Sequence, residues 1–96
     1  MAAYLIADVK VHDPVEYQKY TAGIPALIQK HGGEMLVRGG ACQALEGDWL
    51  PSRLVIFRFP NMEAVRAFYN DPDYQPLIKQ RQKSADADLL AIEGVA

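Results

Sequence analysis

The chain has 96 residues, half of them hydrophobic, with a net charge of −2. This balance suits one folded domain spanning residues 1–96, with a modest core, and excludes a disordered chain. There is no basic block, so phosphate-driven binding of nucleic acid lacks electrostatic support, and no apolar run reaches the roughly 20 residues of a membrane span.

MAAYLIADVKVHD opens without a basic segment, and Asp8 and Lys10 interrupt its apolar run, so it does not read as a secretory signal. Cys42 is the sole cysteine. It rules out an internal disulfide and fits a reducing compartment, which makes the cytoplasm the expected location.

Residues 3–12 alternate, with Leu5, Ala7, Val9 and Val11 on one side and Tyr4, Ile6, Asp8, Lys10 and His12 on the other. That pattern predicts a first strand. Asp13-Pro14-Val15-Glu16 starts a helix: Asp13 caps it, Pro14 fits the first helical position, and Glu16 completes a box-like spacing. Tyr17, Tyr20, Ile24, Leu27 and Ile28 share one helical stripe. Pro25 interrupts it and predicts a kink or break near Gly23. His31-Gly32-Gly33 ends the helix, with glycine supplying the left-handed turn.

A second strand is expected over Glu34–Arg38, resuming through Cys42–Leu45, with a bulge or close backbone approach at Gly39-Gly40. Gly47-Asp48 and Pro51 turn the chain into a third strand, Arg53–Phe59, rich in β-branched and aromatic residues. Pro60-Asn61 stops it, and Asn61 caps a helix with Met62, Val65, Phe68 and Tyr69 on its apolar face. Asn70-Asp71-Pro72 breaks that helix. Another begins near Asp73, with Pro76 in its first turn and Leu77, Ile78 and Arg81 following. Ala87–Val95 is the expected fourth strand. The order β-α-β-β-α-β, with the second helix in two pieces, predicts an α+β, ferredoxin-like antiparallel sheet with helices on one face.

Helices on one face leave the other bare, yet both parities of the strands are apolar. Leu54 and Ile56 oppose Val55, Phe57 and Phe59; Tyr4 and Ile6 oppose Leu5, Ala7 and Val9; Leu90 and Ile92 oppose Leu89 and Ala91. A bare sheet face this apolar is an interaction surface, and a twofold homodimer with sheets face to face is the simplest cover for it. Arg58 is expected to meet Asp8 across this sheet as an ion pair, and Arg38 shares side-chain parity with Leu36.

YLIADV with Asp13-Pro14, Tyr17 and Tyr20, HGGEMLVRGG, EGDW, RLVIFRFP, the helix with Ala64, Ala67 and Tyr69, Asp71-Pro72-Asp73-Tyr74 and Glu93-Gly94-Val95 follow one another along nearly the whole chain. Together they resemble the domain-of-unknown-function 1330 family, a branch of the dimeric α/β-barrel superfamily. The resemblance implies a ferredoxin-like fold and a homodimer whose two sheets form a barrel. It implies no established activity; wider relatives include cofactor-independent oxygenases, decarboxylases and small ligand-binding proteins. The chain departs from the pattern at Arg58, where an acidic residue is expected, and at Phe68, where tryptophan is common.

Arg38, beside glycine-lined backbone, is the first candidate for gripping a ligand carboxylate through paired hydrogen bonds, against a structural ion pair. Arg53 is a candidate for closing a pocket mouth, and Trp49 for a pocket rim or dimer contact. Asp8 is a candidate general base if buried, weighed against pairing with an arginine. His31 is a candidate proton shuttle, weighed against a plain helix-end role. His12, His31 and Cys42 are too scattered for a metal set, and no phosphate loop, dinucleotide fingerprint or nucleophile elbow occurs, so neither metal nor cofactor is expected. The expected protein is a small dimer binding an organic carboxylate or aromatic ligand beside the sheet, either as a cofactor-independent acid/base or oxygenase-type enzyme or as a non-catalytic binder.

Overall fold

A computed structural model describes residues 1–96. Strand β1 covers Ala3–Val11, helix α1 Pro14–Lys30, β2 Glu34–Arg38, β3 Leu54–Phe59, α2 Met62–Tyr69, α3 Gln75–Ser84 and β4 Ala85–Glu93. The strands form one antiparallel sheet in the order β2-β3-β1-β4. This is the ferredoxin-like α+β fold expected from the element order.

Local chemistry sets the element ends. The Asp13 carboxylate accepts from the Glu16 amide at 3.2 Å, and the Asn61 carbonyl oxygen accepts from the Ala64 amide at 2.8 Å, so both helix starts carry the predicted caps. The Gly33 amide bonds the Ile28 carbonyl and the Gly32 amide the Gln29 carbonyl. That pair of bonds is a Schellman close, and it needs the positive φ of 75° that Gly32 supplies. At the other end, α3 passes directly into β4: Ser84 is helical, Ala85 is extended, and the Ser84 carbonyl accepts from the amides of His12 and Asp13.

The core lies between the sheet and the helices. Leu5, Ala7 and Val9 from β1 and Val55, Phe57 and Phe59 from β3 meet the predicted stripe Tyr17, Tyr20, Ile24, Leu27 and Ile28 of α1, together with Val65, Phe68, Tyr74 and Ile78. On the open face, Ile6 sits between Ile56 and Leu90, and Tyr4 between Arg58 and Ile92. Leu90 and Ile92 are 58% and 53% exposed.

Several expectations are corrected. α1 runs unbroken through Pro25. The missing N–H costs one hydrogen bond, but Ile24, Leu27 and Ile28 are all buried around it and hold the helix in place. Strand β2 stops at Arg38 and does not resume over Cys42–Leu45, since residues 41–50 are exposed and carry no ladder. Helix α3 starts two residues later than expected, and β4 runs two residues earlier at both ends because no turn separates it from α3. Arg58 does not meet Asp8. In register it faces Tyr4, four residues along β1, and it pairs with Glu34 of β2 at 3.2 Å.

Arg38 is the most consequential correction. The β2–β3 register places Met35 opposite Phe57 but Val37 opposite Ile56, so Leu36 is an extra residue in the strand. The bulge therefore lies at Leu36, ahead of the Gly39-Gly40 pair. It reverses the alternation and sets Arg38 opposite Val55, on the helix-covered side with Met35 rather than on the side of Leu36.

Candidate functional site

The helix-covered face encloses a cavity of about 270 Å³ between the sheet, α1 and α3. Its floor explains the space. Ala7 occupies the centre of the sheet between Val55 and Leu89 and contributes only a methyl group, while Tyr17, Tyr20 and Ile24 stand above. Eleven of the sixteen lining residues are hydrophobic, and the charged ones are all arginines: Arg38, Arg53 and Arg81. No aspartate, glutamate or histidine lines the cavity.

Each arginine reaches the cavity from a different element. Arg38 comes from bulged β2 and stays exposed at the rim, where its Nε donates to the Met35 sulfur, a weak acceptor, at 2.9 Å. Arg53 immediately precedes β3, and its guanidinium carbon lies 5.8 Å from the Tyr17 ring centroid. Gly39 makes room for it. A Cβ at Gly39 would fall 2.8 Å from Arg53 Cγ, and the backbone there has a φ of 62°. Arg81 is only 5% exposed and lies 5.7 Å from the Tyr20 centroid. The Nε atoms of Arg53 and Arg81 are buried without a hydrogen-bond partner, and none of the three guanidinium groups forms a salt bridge. A buried polar group left without a partner costs about 1–3 kcal/mol, more when charged. Two such groups in one cavity mark it as electrostatically incomplete.

The tyrosines are complete by comparison. The Tyr20 and Tyr74 hydroxyls bond one another at 2.9 Å, and burial raises both, Tyr20 well above the ordinary phenol range. Tyr17 and Tyr20 lie 5.5 Å apart, and Tyr74 packs on Phe68 at 4.4 Å. These side chains form one aromatic wall of the cavity.

Among the residues singled out from sequence, the fold brings Arg38 and Arg53 to this cavity and keeps the others away. Asp8 lies on the opposite face of the sheet, directly across from Asp88, where its carboxylate accepts from the Trp49 indole at 3.1 Å. His31, at the end of α1, bonds Asp71 at 2.8 Å. Lys30 reaches the same Asp71 oxygen at 2.8 Å, and the other oxygen accepts from the Asp73 amide. Lys30 first, then that amide and His31, hold the Asp71 carboxyl well below the usual carboxylate range, and Asp71 in turn raises Lys30. No three His, Cys, Asp or Glu side chains gather in a way that would hold a metal ion.

Arg81 is a cavity-lining residue that the sequence did not single out. The usable signal was a cation on an apolar stripe: Tyr74, Ile78 and Arg81 recur at helical spacing, and all three are buried.

Residues 2–95 match the domain of unknown function DUF1330. The chain belongs to that family. Among curated proteins no sequence matches it. In three dimensions the DUF1330 chain is similar to RPA0582, a protein of unknown function from Rhodopseudomonas palustris. The TM-score is 0.79 at 19% identity, over 99% of this chain and 83% of that one. It is also similar to SnoaB, described as a cofactor-independent oxygenase from Streptomyces nogalater, with a TM-score of 0.67 at 11% identity over 99% and 94% of the two chains. A structure described as an antibiotic biosynthesis monooxygenase gives 0.54 at 14% identity, covering 100% of both. At these identities the likeness establishes the shared fold. No helix of this DUF1330 chain is long and apolar enough to cross a membrane.

Proposed function

We propose that this protein binds a small organic acid in the cavity between the sheet and helices α1 and α3, as a homodimer joined through its open sheet face. One observation carries the binding reading: two buried arginine Nε atoms lack partners in a cavity that no acidic side chain lines. A ligand carboxylate supplies the missing acceptor in the forked geometry that guanidinium favours. The apolar floor and tyrosine wall suit a ring or short hydrocarbon body, and a cavity of about 150 Å³ already admits benzene. No carboxylate or imidazole is at hand as a base, so the residues favour binding over acid/base work. Titration calorimetry with benzoate and short aliphatic acids tests this. Wild type should bind in a salt-sensitive manner and Arg53→Met should lose most of that affinity; equal binding by both would overturn the role of Arg53.

The likeness to a cofactor-independent oxygenase supports a second reading, favoured by the Tyr20–Tyr74 pair. Here the bound acid carries an enolisable carbon, and the Tyr20–Tyr74 pair donates its one free phenol proton to the ligand oxygen. Oxygen uptake that appears on adding a bound acid, and falls in Tyr74→Phe, would establish it; no uptake leaves the binding reading alone.

The dimer reading rests on the exposed Leu90 and Ile92 beside Ile6 and Ile56. Burying a side chain of this kind contributes roughly 1.5–3 kcal/mol, so a few per subunit suffice for association. Light scattering should show twice the chain mass for wild type, and Ile56→Asp should give monomer or aggregate. An unchanged dimer mass in that variant would defeat pairing through this face.

A further inference from the structure

Resting on the organic-acid reading above, we infer that the preferred ligand is a dianion: two acidic groups, one held by Arg53 and one by Arg81, on a flat apolar spacer lying along Tyr17 and Tyr20. The argument starts from charge. The cavity is lined by three arginines and no acid. Arg38 stands at the rim, where water solvates it, but Arg53 and Arg81 each have a shielded Nε with no acceptor. One carboxylate forks one guanidinium and leaves the other cation uncompensated at low dielectric. Two acidic groups match the two shielded Nε donors, one on the buried Arg81 and one on the half-buried Arg53.

Placement supports the same conclusion. Arg53 is carried at the start of β3 and Arg81 on α3, so the two cations enter from different walls. Each guanidinium carbon lies over its own tyrosine ring, at 5.8 and 5.7 Å from the centroid, and those tyrosines are 5.5 Å apart. Stacking occupies the face of a guanidinium and leaves its in-plane N–H groups available. The two cations therefore lie over different rings of the aromatic wall, each with its own tyrosine. The surface beneath is methyl and methylene: Ala7, Val9, Val55 and Leu89 offer a spacer nothing polar to bond. The Tyr20 and Tyr74 hydroxyls are bonded to each other, so the pair has a single O–H left to offer.

The test is calorimetric titration of the intact protein with benzoate, the three benzenedicarboxylates, and succinate, glutarate and adipate. At least one diacid should bind about tenfold or more tighter than benzoate, a factor within reach of one additional charge-assisted contact, with one ligand per chain. Either Arg53→Met or Arg81→Met should shrink that preference to about threefold or less, because each leaves a single guanidinium with a shielded, unpartnered Nε. Arg38→Met should preserve most of it. Benzoate binding as tightly as every diacid overturns the dianion while leaving the organic-acid site standing. Two benzoates per chain also overturn it, since the cations would then serve two monoanions. Binding of none of these acids sinks both readings together. The wild-type comparison decides the matter even if a variant fails to fold.

Discussion

Two groups of charges in this small fold differ in completeness. Where α1 ends and α2 gives way to α3, Lys30 and His31 converge on one oxygen of Asp71 while a backbone amide takes the other. In the cavity, Arg53 and Arg81 have ring faces to lie on and no anion at all. The first cluster is closed: its charges cancel, and it ties the end of one helix to the linker between two others. The second is open, with one buried and one half-buried cation whose shielded Nε atoms find no acceptor within the fold. The architectural charges find their partners inside the chain, and under the proposed function the cavity charges find theirs in a ligand.

The largest effect is expected from opening the closed cluster. Asp71→Asn removes the charge shared by Lys30 and His31, and chemical denaturation should show a clear loss of stability at pH 7. Because the Asp71 carboxyl is held below the usual carboxylate range, its contribution is present above the unfolded value of about 3.9 and drains away as pH falls through the folded one. The stability gap between wild type and Asp71→Asn should therefore narrow below about pH 4. A gap that widens in acid would mean that the cluster is not held by this charge.

Closing the open cluster should act in the opposite sense. Arg81→Met replaces an unpartnered cation with an apolar chain of similar length, so the ligand-free protein should gain about 1 kcal/mol in denaturant titration. A loss of several would show that Arg81 is structural after all, and the contrast between the clusters would fail. The smallest effect is expected on the outer face, where Asp8 receives only the exposed indole of Trp49. Trp49→Phe should shift stability by no more than about 0.5 kcal/mol. A larger change would place that contact with the closed group.

Much of this architecture was legible in the residues. Alternation in β1 and β3, the caps at Asp13 and Asn61, and the buried stripe of α1 follow from period and hydrogen-bonding chemistry that act within a few residues. What escaped depends on tertiary context. Alternation assumes a regular ladder, and one extra residue at Leu36 moved Arg38 to the other face. Pro25 reads as a breaker until the packing around it is known. The pairing of Arg58 with Glu34 depends on a register that no single strand reveals. Arg53 was recognisable as a charge at a strand start, but Arg81 passed as an ordinary cation on a polar helix because its burial comes from neighbours distant in sequence.

The extra residue in β2 has a consequence for how this protein tolerates change. Met35 and Arg38 both look inward only because Leu36 takes up one position of slack. Shortening the chain by either Leu36 or Val37 would restore a regular ladder with both still inward, whereas regularising the strand at its full length would turn Arg38 to the opposite face. The kink is thus the joint at which strand length and side-chain direction are uncoupled, and it lets the rim be retailored without rebuilding the sheet behind it.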